Sequence, residues 1–109
     1  MVLKSLILAH YFDAVDLRVA KCDSDNIIGF IGVAEENIEM LFVAPEFFNQ
    51  GIGSHILQYA IENQQAKKVD VNEQNPAAVG FYQHLGFRIV ARSPLDGQGQ
   101  PFPLLHMQR

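Results

Sequence analysis

The run Ile38-Glu39-Met40-Leu41-Phe42-Val43-Ala44-Pro45-Glu46-Phe47-Phe48-Asn49-Gln50-Gly51-Ile52-Gly53-Ser54, continued to Gln64, holds an apolar segment, a turn and a helix. Ile38 to Val43 is short, apolar and bounded by polar residues, the pattern of a largely buried strand. Pro45 ends it, because proline has no N–H to give to a ladder. From Ile52 the apolar residues fall at Ile52, Ile56, Leu57, Ala60 and Ile61, a single helical stripe.

The turn between them carries the chemistry. A helix N-terminus leaves N–H groups unpaired and partly positive, so it attracts anions. Glycines let those donors approach a phosphate with no Cβ in the way. Asn49-Gln50-Gly51-Ile52-Gly53-Ser54 therefore reads as a pyrophosphate cradle, or more plainly as a strand–helix connection with permissive glycines. A dinucleotide fingerprint would need a third glycine where Ile56 stands, and a P-loop would need Lys-Ser/Thr after its last glycine. Neither fits.

Working outward toward the N-terminus, Val15, Leu17 and Val19 alternate with Asp16 and Arg18, which predicts a half-buried strand through Cys22. Asp23-Ser24-Asp25-Asn26 turns the chain by composition, and Ile27–Val33 is the next strand. Glu35-Glu36-Asn37 turns again into Ile38–Val43, so the three strands form an antiparallel meander. Leu3, Leu6, Ile7 and His10 fall at helical spacing, which predicts a short amphipathic helix over residues 2–12.

Toward the C-terminus, Val69-Asp70-Val71 is a short strand, joined to Ile38–Val43 by a helix and so expected to lie parallel to it. Asn75-Pro76 is an N-cap followed by proline at the first helical position. Gly86 stands where a left-handed C-terminal cap belongs. Gly80 inside that helix hints at close packing. Phe87–Ala91 alternates as a strand, Asp96-Gly97-Gln98-Gly99 is a turn, and Phe102–Met107 is the last strand. The fold class expected is α/β, a mixed layered sheet flanked by helices.

The totals bound the function. The 109 residues allow one domain, 1–109, and nearly half are apolar while under a fifth are charged, a globular balance. The net charge of −4 gives no footprint for nucleic acid and suits cationic acceptors such as amines. A single cysteine, Cys22, allows no internal disulfide and fits a reducing, cytoplasmic compartment. No apolar run is long enough for a membrane span. His55, His84 and His106 lack metal-ligand spacing, so no metal is expected. Ser54 lacks the Gly-x-Ser-x-Gly elbow of hydrolases.

A second motif stands beside the first. Asn75, Ala78, Phe81-Tyr82 and Gly86-Phe87 occupy the positions of one half of the signature of the GNAT superfamily of N-acetyltransferases. The cradle resembles the other half, Gln/Arg-x-x-Gly-x-Gly/Ala after a strand ending in Val-x-Pro. Val43-Ala44-Pro45 and Gly51-Ile52-Gly53 match it, whereas Phe48 replaces the usual Arg or Gln and Asn49 the frequent Gly. Pro101-Phe102-Pro103-Leu104-Leu105-His106-Met107, with Asp96 and Gly99, further resembles the small bacterial peptidyl-lysine-type branch. The likeness covers residues 14–109.

That resemblance implies acetyl-CoA as cofactor and direct attack by a primary amine on a small molecule, protein lysine or protein N-terminus. It implies that Leu41, Phe42 and Val43 pair with the pantetheine arm, and that an N–H near Leu41 polarises the thioester carbonyl. Asn49, Gln50, Gly51, Ile52, Gly53 and Ser54 would hold the pyrophosphate, with Asn75 and Ala78 on the arm. Tyr82 would be the general acid, since a phenol's pKa of ~10 lies above a thiol's. Glu39 is the first candidate for the base, ahead of Glu35 and Glu73. The family's first strand and helix have no counterpart in this reading. That would leave the Val15–Cys22 strand at an open edge, to be covered by a second copy of the chain in a homodimer. Two further readings stand beside the enzyme: a CoA-binding module without catalysis, and an oligomerisation scaffold.

Overall fold

Ile28, Ile31 and Val33 lie buried along strand β3 (Ile27–Ala34), the centre of an antiparallel meander. β2 (Asp16–Lys21) pairs with it from Asp16↔Val33 to Lys21↔Ile27, and β4 (Asn37–Val43) from Ala34↔Asn37 to Gly29↔Val43. The computed structural model describes residues 2–6 and 15–109. The chain divides into two compact units, Met1–Ala66 and Lys67–Arg109.

In the first unit the β3–β4 hairpin closes through Glu35 and Glu36, both at positive φ (51° and 69°). Two such residues give the turn whose twist matches that of the strands. Helix α1 (Ile52–Asn63) contacts β3 and β4 and buries Ile56, Leu57 and Ala60, the stripe expected from their spacing. Its C-terminal end is tied to β2 by polar bonds. Gln64 Nε2 donates to the Asp16 carbonyl at 2.9 Å, and Arg18 Nη1 donates to the Tyr59 hydroxyl at 2.6 Å.

One expectation fails here. Residues 2–6 are not helical but form β1 (Val2–Leu6), antiparallel to β2 from Val2↔Lys21 to Leu6↔Leu17. Positions 7–12 of the expected helix lie outside the described residues. Apolar residues at i and i+3 fit either element in so short a run, and the ladder of β2 selects the strand. The β2 edge is therefore covered within the chain, which removes the argument for a homodimer made at that edge.

The second unit is a three-stranded antiparallel sheet with β7 (Leu104–Gln108) between β5 (Lys68–Asn72) and β6 (Arg88–Ser93). Val69, Val71, Leu105 and Met107 are buried, so Asp70 and His106 fall on the opposite face. Helix α2 (Pro76–His84) contacts β5. Asn75 Oδ1 accepts from the Ala78 N–H at 3.1 Å, and Pro76 opens the helix. At the other end Phe87 N–H bonds to the Tyr82 carbonyl at 3.0 Å and Gly86 N–H to the Gln83 carbonyl at 3.1 Å. With Gly86 at φ 95°, this is the Schellman closure that the glycine signalled.

Gly80 meets nothing within 4 Å of where a Cβ would stand, so close packing is not its role. The strand expected at Phe87–Ala91 begins one residue later. Phe87 is buried just before it, while Arg88 to Arg92 are exposed. A register shift between Ile89 and Ala91 leaves Val90 without an opposite partner, which breaks the alternation.

Candidate active site

In the first unit the cradle is built on the exit from β4. Ala44 N–H donates to the Ile28 carbonyl at 2.8 Å, and Pro45–Phe47 make a single 3₁₀ turn. Asn49 (φ 63°) and Gly51 (φ 77°) are both left-handed, which swings the backbone into α1. Gln50 Nε2 donates to the Glu46 carbonyl at 3.2 Å and braces the loop.

Gly51 is the N-cap of α1 and offers no side-chain acceptor. The N–H groups of Ile52, Gly53 and Ser54 find no partner among the described residues, and intrahelical bonding across the turn begins with His55 N–H to Gly51 carbonyl at 3.0 Å. Nothing lies within 4 Å of a Cβ built on Gly51. An uncapped helix end with open space at its first residue fits an anion such as pyrophosphate. Phe48, in place of the family's Arg or Gln, is 57% exposed.

Leu41, Phe42 and Val43 pair with Ile31, Phe30 and Gly29 along one edge of β4, and the Phe30 and Phe42 rings stack at 5.2 Å. The ladder shifts where Gly32 faces Met40 but Val33 faces Ile38, so Glu39 has no opposite partner. Such bulges re-aim a side chain. Glu39 is exposed there, with Asn37 Nδ2 at 3.3 Å from its Oε1.

In the second unit Asn75 and Ala78 are joined by the capping bond, which engages one face of the Asn75 amide. Tyr82 is buried on α2, edge-on to Phe81 at 5.1 Å and Phe87 at 5.6 Å. Burial pushes its phenol above the usual tyrosine range, which keeps the proton in place at neutral pH. The hydroxyl has no hydrogen bond among the described residues. The ring is thus packed while its hydroxyl hydrogen is not committed to any acceptor among the described residues.

Glu73, a lesser candidate for the base, forms a bidentate pair with Arg92. Nε bonds to Oε2, and Nη2 lies 3.2 Å from Oε1. The guanidinium holds the Glu73 carboxyl below its usual range, which makes it a poor base.

A group that sequence reading passed over lies on the same three strands. His106 Nδ1 is 2.6 Å from Asp70 Oδ1, and His106 Nε2 is 2.6 Å from Ser93 Oγ. The available signal was a polar residue between buried ones on both β5 and β7. Their meeting depends on ladder register, which the sequence does not display. Among the described residues no group of three His, Cys, Asp or Glu could hold a metal, and no helix is long and apolar enough to cross a membrane.

A family model for the acetyltransferase (GNAT) domain matches residues 10–89. The peptidyl-lysine N-acetyltransferase YjaB of Salmonella typhimurium is 36% identical over 101 residues, covering 93% of this chain and 70% of the relative. The solution structure of apo YjaB from Escherichia coli matches with a TM-score of 0.76 at 34% identity, over 85% of this chain and 63% of that one. The chain thus spans less than two thirds of that solved relative. A putative streptothricin acetyltransferase from Bacillus anthracis, solved in complex with acetyl coenzyme A, shares the fold with a TM-score of 0.73 at 22% identity. It covers 95% of this chain and 68% of that one.

Proposed function

The chain belongs to the GNAT acetyltransferase family, and from that premise we propose that it moves the acetyl group of acetyl-CoA to a primary amine by direct attack, within one domain. The observation that carries this is the uncapped start of α1, where Asn49 and Gly51 turn left-handed and the N–H groups of Ile52, Gly53 and Ser54 stay open. Those donors, with the brace from Gln50, would hold the pyrophosphate. The edge of Leu41–Val43 turned away from β3 is assigned to the amide groups of the arm, in the manner of an added strand. Asn75 Nδ2, free of the capping bond made by Oδ1, is assigned to the same arm with Ala78 beside it. Acetyl-CoA, when bound, supplies the activated acyl carbon and a thiolate leaving group.

Tyr82 is the proposed general acid, its proton retained by burial until the thiolate departs. The named relative acts on peptidyl lysine, and lysine side chains in a cytoplasmic setting are the acceptor class we propose here.

Calorimetric titration with acetyl-CoA, followed by an assay on a lysine peptide, tests the reading. Binding of one cofactor per chain is expected. Tyr82→Phe is expected to lower kcat about a hundredfold with cofactor affinity unchanged. Absence of acetyl-CoA binding would sink the proposal. Phe48, exposed at the motif position usually held by a polar side chain, supports a second reading as a CoA-binding module. Binding without acetylation of any amine would favour it.

A further inference from the structure

Resting on the transferase reading above, we propose that His106 is the base that takes the proton from the acceptor amine, with Asp70 fixing its tautomer and Ser93 passing the proton across. An ionised carboxylate only accepts hydrogen bonds, so at 2.6 Å from Asp70 Oδ1 the His106 Nδ1 must donate. In the neutral ring this leaves a lone pair on Nε2. Ser93 Oγ, also at 2.6 Å, fills it by donating its own hydrogen. The hydroxyl oxygen then turns its lone pairs away from the ring, ready to accept an N–H from an incoming ammonium.

The proton path closes without a co-reactant. The ammonium gives one proton to Ser93 Oγ as the Ser93 hydrogen passes to His106 Nε2. The imidazolium is held by the Asp70 carboxylate and later gives that proton to solvent, which its 33% exposed side chain reaches. The freed nitrogen lone pair forms the bond to the acyl carbon, and the bond from that carbon to sulfur breaks. Tyr82 protonates the sulfur and regains a proton as the nitrogen loses its second one. The products are an amide, a thiol and one proton in solution.

The surroundings suit the role. Asp70 faces His106 directly from β5, and Ala91 faces it from β6. One step along the same face, Lys68 and Arg88 flank Gln108, the charged groups that the described residues of β5 and β6 add there. Among the described residues no hydrogen bond to the His55 or His84 side chain is found, whereas His106 has a partner on each nitrogen. Imidazole is also the side chain best matched to proton transfer near neutral pH. Glu39, by comparison, is bonded among the described residues by the Asn37 amide alone.

The array could instead simply stitch three strands together, and the test separates the two roles. Wild type and His106→Gln are assayed on a lysine peptide at saturating acetyl-CoA from about pH 6 to about pH 10. Loss of about a hundredfold in kcat/KM near neutrality is expected, narrowing as pH approaches the ~10.4 of a lysine amine. The KM for acetyl-CoA should stay unchanged, and the variant should still melt in one cooperative transition, at a lower temperature for the bonds lost. A variant within about threefold of wild type across that range, against the hundredfold a general base supplies, overturns the proposal. Nitrogen NMR of His106 gives a readout that needs no turnover. Hydrogen on Nδ1 is expected, lost in Asp70→Asn, and hydrogen on Nε2 in the wild type overturns it. A wild type that binds no acetyl-CoA sinks the transferase reading and this inference together. A fully active His106→Gln removes only the base.

Discussion

Strand β3 buries five of its eight residues, whereas β6 leaves five of its six exposed. The first unit packs Ile31, Ile56 and Leu57 out of contact with water, and the meander and α1 are held by that apolar burial. The second has Met107 as its one large side chain of that kind among the described residues. It adds directional bonds: the Schellman closure of α2, the Glu73–Arg92 pair and the His106 array. Apolar burial and backbone hydrogen bonds do not titrate, whereas the pairs made by ionisable side chains respond to pH and salt. The chemistry proposed for the base sits among the second kind.

Three substitutions would break or sharpen that contrast. Leu57→Ala removes a fully buried side chain from α1 and should cost about 2–5 kcal/mol, read as a lower urea midpoint. Gly86→Ala forces a Cβ onto a residue at φ 95° and to 3.2 Å from Arg109 Nε. It should cost about 1–2 kcal/mol, measured the same way, and so fall below the first. Glu73→Gln should matter least, because both partners of the pair are solvent-exposed. Arg92 depresses the Glu73 carboxyl, so its contribution is present above the ordinary carboxylate pKa and lost as pH falls through the lowered one. Melting curves of wild type and Glu73→Gln should therefore converge in acid and in high salt. A Glu73→Gln effect as large as that of Gly86→Ala would show that the surface bonds of the second unit rival its apolar packing.

Much of the frame was legible before any coordinates. The period of Ile52, Ile56, Leu57 and Ala60 set α1, and Asn75-Pro76 with Gly86 set both ends of α2, because caps and stripes are local signals. What escaped was non-local. Val2–Leu6 takes its conformation from the ladder with β2, which outweighs the helical spacing of Leu3, Leu6, Ile7 and His10. Gly80 read as a packing contact, yet it lies on the open side of α2. Asp70, Ser93 and His106 are separated by 13 to 36 residues in the chain. Only the pairing of β5, β7 and β6 brings their side chains together.

The bulge at Glu39 also has a genetic consequence. It places one extra residue in β4, between Ile38 opposite Val33 and Met40 opposite Gly32. Deleting that codon would leave an uninterrupted ladder, with every flanking side chain still on its own face. Deleting Ile38 or Met40 would also restore the ladder, but with Glu39 moved into the vacated paired position. Position 39 is thus a place in the strand where a residue can be lost while the paired side chains on both sides keep their partners and their faces.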